Sequence, residues 1–336
     1  MAELESSIEF KTSLSYKRRK VVLITGITGQ DGSYLAEFLL GKGYEVHGLV
    51  RRVSNYPQNL RNIEHIKDKL VLHFGDMESE HHLCSVIYNI MPDEIYHLAA
   101  QSDVKLSFEI PEYTANITGL GTLRLLEAVR NFSIGSKVYF SGSSEQFGSS
   151  PPLQNEETPM IPLSPYGASK LFSYQLCNIY KKSYDMYISS GILFNHESPR
   201  RGENFVTRKI CKGIADILKG RQKEIKLGNI YAKRDWGFCP EYCEQMWNML
   251  QQRYPDNYVI GTGEAHTIED FLVEAFNLVE LNWEDKVKID HSLYRPVEVS
   301  YLLADSSKAR KILGWSPKVK FKELVKIMLE AELEVT

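Results

Sequence analysis

From Val21 onward, short apolar segments alternate along the chain with longer segments whose apolar residues recur at helical spacing. The short segments are rich in β-branched residues and have no polar face, which is typical of strands covered on both sides in a parallel sheet. The longer segments predict helices that pack their apolar faces on that sheet. The predicted strands are Val21–Thr25, Glu45–Arg51, Leu70–Gly75, Glu94–Ala99, Lys137–Ser141, Met186–Phe194 and, late in the chain, Tyr258–Gly261. The predicted helices are Ser33–Lys42, Ser79–Ile90, Ile117–Asn131, Tyr166–Tyr184, Val206–Lys219 and Glu241–Gln252.

This alternation predicts an α/β protein built on a doubly wound parallel sheet of the Rossmann type, with a smaller α/β domain beside it. The character of the sequence changes after Asn195, where Arg, Lys, Asn and Gly become frequent. From Thr267 we expect two more helices around the charged loop Asp290–Glu298. The smaller domain is therefore expected to come from separated stretches of chain. The expected divisions are a disordered leader over 1–16, a nucleotide-binding domain over 17–194 and about 238–264, and a second domain over 195–237 and about 265–336.

The composition is that of a globular protein, and it excludes several classes of function. The 336 residues are 43% hydrophobic and carry a formal net charge of −3, so we expect no nucleic-acid partner. No apolar run can span a bilayer and the polar N-terminus lacks the core of a signal peptide, so we expect no membrane partner and a cytoplasmic location. The five cysteines are odd in number and scattered, unlike a secreted disulfide framework. Cys239 and Cys243 lack a nearby histidine pair and are interpreted as packing residues, so no metal is predicted.

A glycine-rich string stands directly between the first predicted strand and the first predicted helix. Its glycines allow the backbone to turn tightly and to approach a pyrophosphate, while the helix N-terminus aims amide donors at it. In this position the pattern predicts a dinucleotide cofactor. A glycine turn that binds no ligand is the alternative. The predicted cofactor-binding residues in the string are Gly26, Thr28, Gly29, Gln30, Asp31 and Gly32.

The residues after the second strand bear on the choice between NAD and NADP. NAD enzymes usually place a carboxylate there for the ribose hydroxyls, whereas this chain has Arg51 and Arg52. Two guanidinium groups suit a 2′-phosphate, so NADP is predicted, although a surface pair of arginines is the alternative. Further cofactor contacts are expected from Asp76 and Met77 after the third strand. The fourth strand is expected to end beside the nicotinamide with Leu98, Ala99, Ala100, Gln101 and Ser102.

Tyr166 and Lys170 are four residues apart on a predicted helix and therefore share one face. We expect the ammonium group to lower the pKa of the phenol from its usual value of ~10 toward neutrality. Such a tyrosine can remove the proton of a sugar hydroxyl while a hydride leaves the same carbon. Because the spacing is common, an ordinary helix surface is the alternative.

Ser143 and Glu145 follow the strand that precedes this helix. If the chain is extended there, their side chains point the same way, because strand side chains repeat every two residues. A hydroxyl and a carboxylate in one pocket can deliver one proton and remove another. The alternative is a polar strand end that caps the next loop.

Basic residues recur in several separate segments after the sixth strand. Arginines converging from different loops would fit the oxygens of a diphosphate, although any single one of them is equally typical of a solvated surface. The residues considered are Arg200, Arg201, Arg208, Lys209, Arg234 and Arg295.

Together these strings resemble those of the GDP-mannose 4,6-dehydratases, a group within the extended short-chain dehydrogenase/reductase family. The resemblance extends from about Lys20 to about Glu332. The segments that carry it are Gly26–Leu35, Ser164–Gly167, Gly191–Gly202, Lys233–Gly237, Arg295–Val299 and Leu313–Trp315.

The resemblance implies a hydro-lyase that converts GDP-mannose to GDP-4-keto-6-deoxymannose. In such enzymes a tyrosine matching Tyr166 serves as base while NADP takes the hydride of carbon 4, and a carboxylate matching Glu145 removes the carbon-5 proton. Water then leaves carbon 6, assisted by Ser143 or Glu145, and the hydride returns to carbon 6. The family also implies a homodimer or homotetramer. By resemblance, NADP is bound by Thr28, Arg51, Arg52, Ser54, Asp76, Tyr113, Tyr166, Lys170, His196 and Arg201, and the GDP-sugar by Ser102, Asn195, Lys209, Gly228, Arg234, Arg295 and Glu298.

Several departures from the family pattern leave the sugar open. The family usually has threonine where this chain has Ser143, serine where it has Val53, and aspartate where it has Tyr231. The same chemistry on another GDP-sugar, such as a GDP-heptose, is therefore an alternative. A nucleotide-sugar 4-epimerase or 4-keto reductase on the same scaffold is a second, and a non-catalytic NADP-binding sensor is a third.

Overall fold

The central feature of the computed structural model, which describes residues 18–51, 53–54 and 60–334, is a seven-stranded parallel sheet. The predicted strands Val21–Thr25 and Lys137–Ser141 are confirmed to the residue, and the other five within two residues at each end. The strands are β1 (Val21–Thr25), β2 (Glu45–Val50), β3 (Val71–Phe74), β4 (Glu94–His97), β5 (Lys137–Ser141), β6 (Ile188–Leu193), β7 (Asn195–Glu197), β8 (Ile225–Leu227), β9 (Lys233–Phe238), β10 (Asn257–Ile260), β11 (Ala265–Thr267) and β12 (Val287–Ile289).

The order of the central sheet is β10-β6-β5-β4-β1-β2-β3, and every neighbouring pair is parallel. The winding direction reverses between β1 and β4, which confirms the predicted doubly wound α/β class. In such sheets a ligand crevice lies beyond the carboxyl ends of the strands at this reversal. Strand β10 joins the sheet beside β6, as predicted for the late strand.

Helices connect the strands and cover the sheet. The helix predicted from Ile117 begins later, at Gly121, because the residues Ala115–Leu120 before it form a π-helical turn. The helices are α1 (Gln30–Gly41), α2 (Glu80–Ile90), α3 (Val104–Glu109), α4 (Pro111–Thr114), α5 (Gly121–Phe132), α6 (Pro165–Ser183), α7 (Val206–Leu218), α8 (Cys239–Gln251), α9 (Ile268–Asn277), α10 (Ser307–Leu313) and α11 (Phe321–Glu334).

The prediction of two helices after Thr267 was wrong, because this stretch forms three. Helix α9 precedes the charged loop, and α10 and α11 follow it. Helix α10 has only seven residues and ends at Leu313, followed by Gly314, which adopts the left-handed conformation with φ 68°. A helix of two turns contains too few residues for its periodicity to stand out in the sequence.

The central sheet buries a separate apolar cluster on each face. Alternate residues of β1 belong to opposite clusters: Leu23 packs with α2, α5 and α6, whereas Val22 and Ile24 pack with α1 and α8. A third cluster joins α7, α9 and α11 around Trp236 and Phe271. The sheet is therefore held rigidly from both sides beneath its carboxyl edge.

Small sheets extend the structure beyond that edge. Strand β9 pairs in parallel with β7 and antiparallel with β11, and β12 pairs with β8. Since β7 starts two residues after β6 ends, this pairing brings the segment Lys233–Phe238 to the end of the central sheet. Within the described part of the chain, no helix combines the length and the apolar character needed to cross a membrane.

Candidate active site

A cavity of about 1120 Å³ lies beyond the carboxyl ends of β1, β4, β5 and β6. Nearly all of the residues predicted to bind cofactor or substrate, or to act in catalysis, line it. Ser54 is described but does not line the cavity, and Arg52 lies outside the described residues. Among the basic residues considered, Arg208 also stays outside the lining and pairs instead with Glu332 at 2.6 Å.

The glycine turn has the shape that a pyrophosphate site requires. Gly26 adopts φ +76°, and a Cβ atom there would lie 2.9 Å from the amide nitrogen of Ala99. A Cβ atom on Gly32 would lie 2.3 Å from the carbonyl oxygen of Gly26, so only glycine leaves this cradle open. Helix α1 begins directly after Gly29 without a side-chain cap, which leaves backbone N–H groups at its N-terminus for a ligand.

Tyr166 and Lys170 lie in the first two turns of α6, which is capped by the hydroxyl of Ser164. The Nζ atom of Lys170 donates to the carbonyl oxygen of Ser141 at 2.6 Å and lies 6.0 Å from the centre of the Tyr166 ring. Burial lowers the pKa of Lys170 to about 8. These contacts fix the ammonium group between the end of β5 and the tyrosine.

The expected lowering of the Tyr166 pKa is wrong for this structure. Burial raises this pKa to about 12, and a hydrogen bond from Ser143 and the charge of Arg201 offset the effect only in part. The charge of Glu145 raises the pKa further. The ammonium group of Lys170 bonds the Ser141 carbonyl rather than the phenol, which is why it does not deliver the expected shift.

Ser143 and Glu145 both line the cavity, but the predicted extended geometry is wrong. Residues Ser144–Gln146 form a turn of 3₁₀-helix immediately after β5. The Ser143 hydroxyl accepts from the backbone N–H of Glu145 at 3.2 Å, and the Gln146 side chain accepts from the N–H of Ser143 at 2.7 Å. The serine therefore caps the turn, and the tight turn rather than strand alternation brings hydroxyl and carboxylate to one pocket.

Two arginines of the cavity lining converge on one carboxylate. The Oε1 atom of Glu298 accepts from Arg234 at 3.0 Å and from Arg295 at 3.2 Å. Arg295 also lies 3.9 Å from the Oε1 atom of Glu145. Burial lowers the pKa of Arg234, and the charges of Glu145 and Glu298 counteract this. Forked cations at this place suit a diphosphate held close to the Glu145 carboxylate.

The structure adds cavity residues that the sequence reasoning missed. Lys105 in α3 lines the cavity near Lys209, and the pKa of Lys209 is lowered by burial and by the positive charge of Lys105. Arg61 also lines it and lies 3.5 Å from Glu203. Lys105 comes three residues after Ser102, the last predicted cofactor contact of that segment, and this nearness in the sequence could have marked it as a cavity residue. The segment around Arg61 has no periodicity or motif that marks it.

Asp31, His196 and Cys239 bring their donor atoms within 4.8 Å of one another, a separation that a metal ion could bridge. Hydrogen bonds already account for this cluster. The Nε2 atom of His196 lies 2.9 Å from Asp31, and the Sγ atom of Cys239 donates to the same carboxylate at 3.4 Å. The sulfur atoms of Cys239 and Cys243 are buried and 4.0 Å apart. We therefore assign no metal here.

Comparison with known proteins agrees with these motifs. The family model described as "GDP-mannose 4,6 dehydratase" matches residues 23–328. GDP-mannose 4,6 dehydratase 1 of Arabidopsis thaliana is 53% identical over 331 residues, which cover 95% of this chain and 91% of the plant protein. GDP-mannose 4,6 dehydratase of Homo sapiens is 46% identical, with 95% and 93% of the two chains covered.

Solved structures share the fold at lower identity. The UDP-glucose 4-epimerase of Thermus thermophilus, in complex with NAD, has a TM-score of 0.83 and 25% identity over 94% of this chain and 100% of its own. The dTDP-glucose 4,6-dehydratase of Bacillus anthracis, also with NAD, has a TM-score of 0.80 and 22% identity over 93% and 96%. Since both the family model and the relatives span most of its length, this chain belongs to the GDP-mannose 4,6-dehydratase family.

Proposed function

We propose that this protein converts GDP-mannose to GDP-4-keto-6-deoxymannose as a hydro-lyase. The observation that carries the proposal is the composition of one cavity. A glycine turn for a dinucleotide, arginines for a diphosphate, and the side chains of Tyr166, Ser143 and Glu145 all line it. The names of the relatives, which are GDP-mannose 4,6-dehydratases at 46% to 53% identity, support the same substrate.

We propose NADP as the cofactor. The open cradle at Gly26 and Gly32 fits a pyrophosphate, and the residue that follows β2 is Arg51, which lines the cavity and suits a 2′-phosphate. Its guanidinium group donates to the hydroxyl of Tyr113, another residue of the lining. When bound, the cofactor accepts a hydride from carbon 4 of the sugar and returns a hydride to carbon 6.

The side chains of the cavity divide the proton transfers between them. Tyr166 removes the proton of the 4-hydroxyl as a phenolate, which its pKa of about 12 disfavours in this structure. The positive charge of Lys170, with a pKa of about 8, and that of an oxidised nicotinamide ring, when bound, would favour the phenolate. The resulting 4-keto group acidifies the carbon-5 proton, which the Glu145 carboxylate removes. The hydroxyl of carbon 6 leaves as water after it receives a proton from Ser143 or Glu145. Carbon 5 regains a proton at the end, so the net change is the loss of one water.

The test is the Glu145→Gln variant. We expect it to form no 4-keto product, because an amide cannot remove the carbon-5 proton, while its NADP affinity stays near that of the wild type. The product is detected by mass as the loss of one water. Glu157→Gln, at an exposed glutamate outside the cavity lining, is the matched control and should be fully active. A fully active Glu145→Gln variant would remove Glu145 from this role.

A panel of nucleotide sugars tests the substrate separately. GDP-mannose should lose water, and dehydration of only another sugar, such as a GDP-heptose, would contradict the GDP-mannose assignment. A product of unchanged mass would indicate a 4-epimerase instead. Consumption of one NADPH per turnover would indicate a reductase, whereas a dehydratase returns its cofactor unchanged.

We also propose that the protein assembles as a homodimer or homotetramer. Helix α6 carries Phe172 and Ile179 seven residues apart on one face, and 45% and 52% of their surfaces are exposed, which supports an apolar contact between copies. Light scattering of the purified protein should therefore give at least twice the mass of one chain, and a monomer at micromolar concentration would contradict this. The division into two domains and a cytoplasmic location stay predictions.

A further inference from the structure

Both ring nitrogens of His196 face oxygen atoms that can only accept hydrogen bonds. The Nδ1 atom lies 2.8 Å from the carbonyl oxygen of Phe194, and the Nε2 atom lies 2.9 Å from Oδ2 of Asp31. A neutral imidazole carries one N–H group and can satisfy only one of these contacts. The imidazolium form, with two N–H groups, satisfies both. The geometry thus selects the charged state of this histidine.

The packing around the ring keeps the Asp31 carboxylate as its counterion. The imidazole of His196 stacks on the phenol ring of Tyr242 in α8, with the ring centres 4.6 Å apart. Burial raises the pKa of Tyr242, Cys239 and Cys243, so these neighbours from α8 stay neutral at physiological pH.

Two further charges lie close to this pair. Arg201 is a nearby cation that opposes protonation of His196, but it lies 3.1 Å from the buried carboxylate of Glu197. Burial also lowers the pKa of His196. The charge and hydrogen bond of Asp31 and the hydrogen bond to the Phe194 carbonyl raise this pKa and outweigh burial, so it lies above the usual 6.5. For Asp31, burial raises the pKa, but His196 outweighs burial and the net value lies well below the usual range.

The position of Asp31 in the cavity indicates what its ion pair with His196 does for ligand binding. Asp31 lies in the first turn of α1, where a helix N-terminus attracts an anion, and it lines the cavity. An uncompensated carboxylate there would repel a pyrophosphate. Its Oδ1 atom accepts from Gln30 at 3.1 Å and its Oδ2 atom faces His196, so donors hold both oxygens. The histidine therefore cancels a negative charge at the place where the cofactor is expected to bind.

We propose that Asp31 is a positioning residue that keeps His196 as an imidazolium, and that this ion pair keeps the start of α1 free of net negative charge for the cofactor's pyrophosphate. The inference rests on the proposed function in assuming a nicotinamide dinucleotide as the ligand. Its consequence is a pH dependence. Because the folded state holds the proton of His196 above pH 6.5, cofactor affinity is retained beyond pH 6.5 and falls as the pH rises through the raised pKa, where His196 loses its proton and leaves Asp31 uncompensated.

The first test measures the protonation of His196 without any turnover. The full-length, cofactor-free protein is labelled with ¹⁵N-histidine, the His196→Gln variant assigns the signal, and the ring nitrogens are followed by NMR from pH 5 to pH 10. We expect both nitrogens to remain protonated above pH 6.5 in the wild type. In Asp31→Asn the midpoint should fall by at least about one pH unit, a tenfold change in proton affinity.

Glu45→Gln is the matched control, because it removes a carboxylate 3.0 Å from the Nε2 atom of His47 while the other ring nitrogen of His47 faces His73 rather than a carbonyl. It should leave the His196 midpoint unchanged. A wild-type midpoint at or below 6.5 would overturn the inference even if the Asp31→Asn variant does not fold. An equal midpoint in wild type and Asp31→Asn would overturn it as well.

The second test measures the dissociation constant of NAD by calorimetry between pH 6 and pH 9.5. NAD carries the pyrophosphate but lacks the 2′-phosphate, whose own ionisation near pH 6 would confuse the profile. In Asp31→Asn no carboxylate is left uncompensated when His196 loses its proton, so the weakening at high pH should be much smaller than in the wild type, and identical profiles would overturn the role in binding. Failure of every nucleotide sugar to react, with the titration of His196 as expected, would instead refute only the proposed function.

Discussion

The substitution Gly32→Ala tests the glycine turn with a single methyl group. The added Cβ would lie 2.3 Å from the carbonyl oxygen of Gly26 and 2.6 Å from the Cα atom of Ile27, and both are backbone atoms. The backbone of the turn has little room to move away from the added methyl group. Gly26 already lies close to the backbone of Ala99, and the Gly26 carbonyl accepts a hydrogen bond from the N–H of Gly29 at 3.0 Å. The clash must therefore displace the start of α1 and the amide groups that it presents.

Overpacking of this kind typically costs about 1–3 kcal/mol of unfolding free energy, and displaced amide donors weaken the ligand as well. At a ligand concentration of about 100 times the dissociation constant, binding stabilises the folded protein by about 2.7 kcal/mol. If Gly32→Ala lowers NADP affinity at least about 100-fold, the same concentration contributes only about 0.4 kcal/mol. The rise in melting temperature with NADP should then almost disappear.

The assay is thermal unfolding with and without NADP, compared with Gly41→Ala on the same helix. A Cβ atom on Gly41 meets nothing within 4 Å, so alanine there should be neutral or stabilise the helix by about 0.5–1 kcal/mol and keep the full NADP effect. A Gly32→Ala protein with the wild-type NADP effect would refute the assignment of this turn to the cofactor.

Two further predictions concern catalysis and stability. Tyr166→Phe should lower kcat at least about 10²-fold, because it removes the proposed base for the 4-hydroxyl; a smaller loss, measured by product mass, would move this proton transfer to another group. His97 hydrogen-bonds Thr25 and Thr122, and burial, with the charge of Lys170, lowers its pKa to about 3. Below pH 6.5 the unfolded chain binds a proton that the folded chain does not, so this histidine should lower the unfolding free energy by about 1.4 kcal/mol per pH unit as the pH falls toward 3. Urea unfolding at pH 7 and pH 5 gives the change of unfolding free energy with pH for the wild type and for His97→Gln. The difference between these two changes is the contribution of His97, and equal changes would contradict the prediction.

Structural features that depend only on residues close together in the chain could be predicted from the sequence. Strand β1 was found because four of its five residues are apolar and the glycine string marks its end, and α6 because its apolar residues recur at helical spacing. The glycine turn depends on backbone shape over a few residues, so its pattern is visible in the sequence alone.

Features that depend on distant segments could not be predicted in detail. Asp31 and His196 are 165 residues apart, and their contact requires β7 to continue past the end of β6 above the start of α1. The pKa of Tyr166 was misjudged because burial and the actual partner of Lys170 are tertiary properties. For Ser143 and Glu145 the residue types were informative, but the turn that places them is set by a capping interaction rather than by strand alternation.

The carboxylates that line the cavity differ in how closely a cation is paired with them. Three carboxylates of the cavity lining have close cations: Asp31 lies 2.9 Å from His196, Glu298 lies 3.0 Å from Arg234, and Glu197 lies 3.1 Å from Arg201. Glu145 is different, since Arg295 lies 3.9 Å from it and is also held at 3.2 Å by Glu298. A carboxylate in a tight ion pair is a poor proton acceptor, because protonation would leave its buried partner uncompensated. Of these four carboxylates, the loosely paired Glu145, on the same turn as Ser143, is therefore the one best suited to remove a proton from carbon.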